Sequence, residues 1–170
     1  NANATVVSSS QTAGLSLFAN KRDREFYDAN GDNFSELTTL KNMALGANLF
    51  FLPKENQKLE ASMSHLNEYR YGGEMRKQTV HLNQQAEART HDVWMGSLDY
   101  QINFDKDYSS LIAYLAGQRT DRNHYTGIFP DAVEDIDAHL EDPPYGFSKT
   151  TTFQAGVQFN HRFKNFIVGS

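Results

Sequence analysis

No cysteine occurs among the 170 residues. Disulfides, thiolate zinc sites and a catalytic thiol are therefore excluded. No apolar run approaches the roughly 18–20 residues that a membrane-crossing helix needs. No Lys/Arg stripe is present and the formal net charge is −5, which argues against a duplex-binding surface. No signal peptide is visible. The chain opens Asn1-Ala2 without Met, so residues 1–2 are read as a tag remnant and the chain as an excised segment. Apolar residues make up only 39%, below the roughly 45–50% of globular chains. Aromatics nonetheless reach 12%, mostly Phe and Tyr. That mixture suits strands in which every second residue is apolar.

Period-two alternation is what the sequence does contain. It predicts six strands and the start of a seventh, at about residues 12–20, 42–51, 58–68, 92–104, 109–118 and 150–163, with Phe166-Ile167-Val168 beginning the last. In the fourth, Trp94, Gly96, Leu98, Tyr100, Ile102 and Phe104 share one face, and Ser97, Asp99, Gln101 and Asn103 the other. In the sixth, Phe153, Ala155, Val157, Phe159 and Phe163 oppose Gln154, Gln158, Asn160 and Arg162.

The connections alternate in length. Residues 21–41, 69–91 and 119–149 form long polar links. Pro53-Lys54-Glu55-Asn56, Asp105-Lys106-Asp107 and Lys164-Asn165 form short turns. Transmembrane barrels show this rhythm, with long outer loops and short periplasmic turns. Phe50, Phe51, Tyr100, Phe104, Tyr108, Phe159, Phe163 and Phe166 gather near the short turns, as an interfacial aromatic girdle does. The expected fold is all-β: an antiparallel up-and-down meander of about six to seven strands. A soluble β-sandwich or lipocalin-like barrel is the competing architecture. Six or seven strands fall below the smallest membrane barrels of about eight, so the meander is expected to be a segment of a larger one.

Three stretches carry a family resemblance. The run from Lys21 to Leu37 (KRDREFYDANGDNFSEL) resembles the start of an extracellular loop in TonB-dependent receptors. Leu66–Gly73 (LNEYRYGG) and Trp94–Gln101 (WMGSLDYQ) are similar to the next hairpins of those receptors. The resemblance spans about residues 13–163. It implies part of a roughly 22-stranded barrel of the cobalamin or iron-chelate receptor type, in the bacterial outer membrane. It implies a TonB-coupled uptake function, with lipid, the TonB complex and a small-molecule nutrient as partners. Residues 1–170 hold no counterpart of that family's plug domain or TonB box. An isolated sheet of this kind is also expected to self-associate through open edges.

Asp28-Ala29-Asn30-Gly31-Asp32 sets oxygen side chains at alternate positions, with Glu36 nearby. Calcium loops use that spacing because such side chains converge on one hard cation. Asn33 stands where an EF-hand has its turn glycine, and Thr39 where it has the bidentate Glu. A plain polar turn fits the same residues. The resemblance adds weight to a Ca2+ site at Asp28, Asn30, Asp32 and Glu36. Asp131, Glu134, Asp135, Asp137, Glu141 and Asp142 read as a solvated loop, with a short helix near 132–140 that ends before Pro143-Pro144. The six histidines lack zinc-helix spacing, and no nucleophile, P-loop or dinucleotide motif occurs, so no enzyme is expected. Tyr69, Arg70, Tyr71, Tyr125 and Phe129 are candidate substrate-contacting residues on outer loops. A soluble β-sheet binding or adhesion module without transport activity is the alternative function.

Overall fold

The computed structural model describes all residues except 77, 105–107, 164–165 and 170, and describes 166–169 through their backbone alone. The Asp105-Lys106-Asp107 and Lys164-Asn165 turns therefore lie outside the described residues. Eight antiparallel strands form one sheet in strict chain order. They are β1 (Ala2–Val7), β2 (Ala13–Arg24), β3 (Thr39–Lys54), β4 (Gln57–Gly73), β5 (Gln85–Phe104), β6 (Ser109–Ile128), β7 (Tyr145–Phe163) and β8 (Phe166–Gly169). A 3-10 turn, Val80–Leu82, precedes β5, and one helix, α1 (Val133–Glu141), precedes β7. Glu134 and Asp135 occupy the first turn of α1, where the helix dipole favours negative charge. No described helix is long and apolar enough to cross a membrane.

Register converts the sequence alternation into two faces. On one face, Leu15, Leu49, Ala61, Leu98, Leu115 and Ala155 lie opposite one another in a single row across six strands. The next row is Leu17, Ala47, Met63, Gly96, Gly117 and Phe153. The other face carries Ser16, Asn48, Ser62, Ser97, Ala116 and Gln154 at the corresponding level. No second layer covers the apolar face among the described residues: Phe153 is 76% exposed. The accessible surface is 12080 Å², against about 8,500 Å² for a compact monomer of this mass.

Sheet stability must then come largely from the ladder and from cross-strand pairs. Several pairs set an aromatic ring over the glycine directly opposite. Phe50 covers Gly14, Phe18 covers Gly46, Phe153 lies against Gly117, His124 covers Gly146 and Tyr114 covers Gly156. A ring fills the space that the missing Cβ leaves and shields the strand backbone. A Cβ at Gly46 would strike the Phe18 ring and sit 3.1 Å from the Met63 carbonyl oxygen. Gly46→Val is therefore expected to lower the urea midpoint by the equivalent of about 1–3 kcal/mol. Asn48→Val, two residues away and exposed, should shift it by less than about 0.5 kcal/mol.

The barrel expected from the alternating loop lengths is not formed. β1 and β8 are the two ends of the sheet and do not pair with each other. Both edges leave backbone N–H and C=O groups unpaired within the chain, and hydrocarbon offers such groups no partner. The meander expectation holds, with eight strands in place of six to seven. The transmembrane-barrel expectation is corrected to an open sheet.

Candidate functional site

The buried core sits at the end of the sheet where the long connections meet. Tyr71, Ala88, Tyr125 and Tyr145 share one row on neighbouring strands. Tyr71, Ala86, Ala88 and Tyr125 are buried, with Phe26, Tyr69 and Val80 packed on them. Tyr125 is fully buried. Its ring lies 5.0 Å from that of Tyr145, which in turn meets His81 edge-on at 5.7 Å. His81 Nδ1 and the Tyr145 hydroxyl are 3.0 Å apart. His139 of α1 donates from Nε2 to the His81 carbonyl at 2.8 Å and meets Phe129 edge-on. Residues 78–84 and 129–144 are joined through these contacts.

The first connection is tied in by backbone. Ser35 N–H donates to the Gly73 carbonyl at 3.0 Å, and Met75 N–H donates to that of Asn33 at 2.9 Å. Gly73 has φ of +115°, and an added Cβ would collide with the Gln85 carbonyl, so glycine permits both the turn and the close approach. The following residue, Glu74, is 2% exposed. Its carboxylate accepts from Gln84 N–H at 2.7 Å and pairs with Arg76 Nε at 2.6 Å. The Tyr71 hydroxyl donates to the Glu74 carbonyl. Burial pushes the Tyr71 and Tyr125 hydroxyls above the ordinary tyrosine range, with neighbouring Tyr69 and Tyr145 adding to the rise respectively.

The turn at residues 28–36 brings carboxylates together. Ligand oxygens of Asp28, Asp32 and Glu36 all lie within 4.8 Å of one another and can hold a metal ion. The local chemistry explains the convergence. Asp28 accepts backbone N–H bonds from Gly31 at 2.6 Å, Asn33 at 2.8 Å and Asn30 at 3.2 Å. Glu36 Oε2 accepts from Ala29 N–H at 2.7 Å, folding the loop back. Gly31 and Asn33 take positive φ, the conformation that Gly and Asn tolerate best. Asn30 is drawn inward differently: its Oδ1 accepts from Asp32 N–H and its Nδ2 donates to Asp32 Oδ2. Burial pushes the Asp28 carboxyl up, but the N–H groups of Gly31, Asn33, Asn30 and Asp32 outweigh it and hold the group below its ordinary value of 3.8. A depressed folded-state value makes the loop's Asp28 bonds fully present above about pH 4 and lost as pH falls through the lowered value.

No family model, no curated protein and no solved structure matches this chain. The TonB-dependent receptor resemblance thus finds no relative, and the open sheet removes the closed wall on which it depended. The uptake function, the outer-membrane location and the lipid, TonB and nutrient partnerships fall with that wall, because each required a lumen enclosed by paired strands.

The residues expected to contact substrate are placed in three different ways. Tyr69, Tyr71 and Tyr125 build the loop-end core. Phe129 packs against His139. Arg70 lies exposed on the opposite sheet face, 2.7 Å from Glu68. Sequence reasoning did not find Glu74 or the His81–Tyr145–His139 ring contacts. An acid in a Gly-Gly-Glu turn carries no hydrophobic signal, and the acceptor role that holds its carboxylate depends on Gln84, ten residues away.

Proposed function

We propose that this chain is a non-catalytic β-sheet binding module whose long connections form a rigid ligand-facing platform at one end of the sheet. One observation carries the reading. Two connections that would cost entropy to order (25–38 and 74–84) pack Phe26 and Val80 on a core in which Tyr125 is fully buried, and the third (129–144) is held to the second through His139 and His81. Pre-ordered loops lower the cost of binding. Backbone amide exchange tests this directly. Slow exchange in those segments, comparable to the central strands, is the expected result. Exchange at the rate of unprotected peptide would sink the platform.

The acidic turn of that platform binds Ca2+ in this reading. Asp28, Asp32 and Glu36 supply hard oxygen ligands, and the turn leaves a flexible, incomplete coordination shell that water completes. Such a shell suits Ca2+ better than Mg2+, which demands a near-ideal octahedron. At calcium a hundredfold above Kd the native state gains about 2.7 kcal/mol. For a chain of this size that raises Tm by roughly 5–10 °C. Titration calorimetry and thermal melts with calcium or EDTA measure both. The Asp28→Asn/Asp32→Asn variant should lose the heat and the shift together. Unchanged heat in that variant would place the cation elsewhere.

A further inference from the structure

We propose a second site on the polar face of the sheet, built from arginines and fitted to a small molecule with two or more phosphate or carboxylate groups. It goes beyond the platform reading and needs no cation. Arg24, Leu40, Arg70, Arg89 and His124 follow one another in a single row across β2 to β6. The neighbouring row holds Arg22, Asn42, Glu68, His91 and Arg122. Strands lie about 4.8 Å apart and same-face rows about 6.8 Å. Five arginines thus lie in two adjacent rows on one face, spread over about 19 Å from β2 to β6, in a chain whose net charge is −5.

Folding alone gives no reason for this arrangement. Arg70 and Arg89 are direct cross-strand partners, and like charges placed so destabilise a sheet. Two carboxylates answer the five arginines. Glu68 binds Arg70, and Glu87 binds Arg89. Among the described residues no carboxylate forms an ion pair with Arg22, Arg24 or Arg122. Arg24 instead donates to the Thr38 carbonyl and hydroxyl, which fixes its side chain. Buried nitrogens of two neighbours, Arg122 Nε and His124 Nδ1, have no hydrogen-bond partner.

Space adjoins the charges. An open cleft of about 720 Å³ lies one row further along, between Thr38, Gly72, Glu87, Thr126 and Ile128. Segment 34–38 forms its wall, held by Ser35 on Gly73 N–H. Guanidinium groups bind planar or tetrahedral oxyanions bidentately, and Arg70 and Arg89 stand directly opposite one another on adjacent strands. Glu87 in the cleft sets a limit. Its bond to Arg89, and that of Glu68 to Arg70, must be exchanged for the ligand's, so a monoanion gains little and a polyanion gains more.

Calorimetry at low ionic strength in EDTA, with inorganic pyrophosphate and the tricarboxylate tricarballylate as probes, tests the site. Saturable binding of either is expected, weakening as salt rises, and the tighter probe assigns phosphate or carboxylate chemistry. Arg70→Gln/Arg89→Gln should weaken binding about tenfold or more, the effect of losing charge-assisted hydrogen bonds. Lys41→Gln/Lys149→Gln makes the same charge change on the opposite face and should leave affinity unchanged. Arg70→Lys/Arg89→Lys keeps charge and stem but loses the fork, and should weaken binding with no change in Tm. The site is overturned if neither probe binds, or if the Lys41/Lys149 variant weakens binding as much as the Arg70/Arg89 variant.

Discussion

Tyr125→Ala is expected to be the most damaging single substitution in the chain, costing about 3–5 kcal/mol and lowering Tm on the order of 10 °C. The ring is the centre of the loop-end core. It is fully buried and in contact with the Tyr145 ring, and it shares a row with Tyr71 and Ala88. Truncation leaves a void beside Tyr71, Ala88 and Tyr145, and the paired strands on either side cannot collapse into it. Tyr125→Phe is the informative companion. The Tyr125 hydroxyl is buried without a hydrogen-bond partner among the described residues, so its removal relieves a desolvation cost. Tyr125→Phe should be neutral or slightly stabilising in the same melts. A Phe variant as damaged as the Ala variant would show that the hydroxyl, not the ring, holds the platform.

Glu74→Ala should cost about 2–3 kcal/mol, because it removes the charged acceptor of the Gln84 N–H and frees Arg76. The Arg76 side chain is 63% exposed, so solvent screens that half of the interaction and the figure stays below the range for a fully buried pair. Glu74→Gln retains an acceptor for Gln84 N–H and should lose only about 1 kcal/mol. Urea midpoints measure the totals. Amide exchange supplies the location: segments 25–38 and 74–84 should open in Glu74→Ala while β5 and β6 stay protected, since Glu74 joins the turn to the loops and not to the central ladder. Equal loosening of the central strands would mean that the platform and the sheet unfold as one unit.

The strands themselves were legible where apolar and polar residues alternate. The strand expected over 92–104 is the lower part of β5, and that over 109–118 the lower part of β6. The upper parts were not, although β5 begins at Gln85 and β6 runs to Ile128. There the face carries Arg89, His91, Arg122 and His124, and hydropathy has no contrast to show. Pairing continues because each strand supplies the other's hydrogen-bond partners whatever the side chains are. β1 was missed for the same reason: Ala2-Asn3-Ala4-Thr5 is weakly patterned, and its ladder to β2 defines it. The acidic turn was legible because its information is local, with Asp28, Gly31 and Asp32 acting within a few residues. Only the role of Asn30 differs, as its side chain bonds Asp32.

Closure was the point at which sequence reasoning went wrong. Alternating long and short connections are produced by any antiparallel meander whose loops gather at one end, whether or not its edges meet. Open and closed sheets share the same local alternation, and the difference lies in the accumulated twist and stagger across all strands. No single hairpin records that sum.

By itself, then, the sequence determined an all-β antiparallel meander, an apolar face, the acidic turn and the absence of thiol chemistry, since all of these follow from residue type and short-range spacing. Tertiary structure alone decided that the sheet stays open, that Tyr125 and Glu74 are buried, and that five arginines from β2, β4, β5 and β6 share the polar face. Register is the physical reason. Strands far apart in the chain are brought side by side one residue pair at a time, and which side chains become neighbours is fixed only when that pairing is complete.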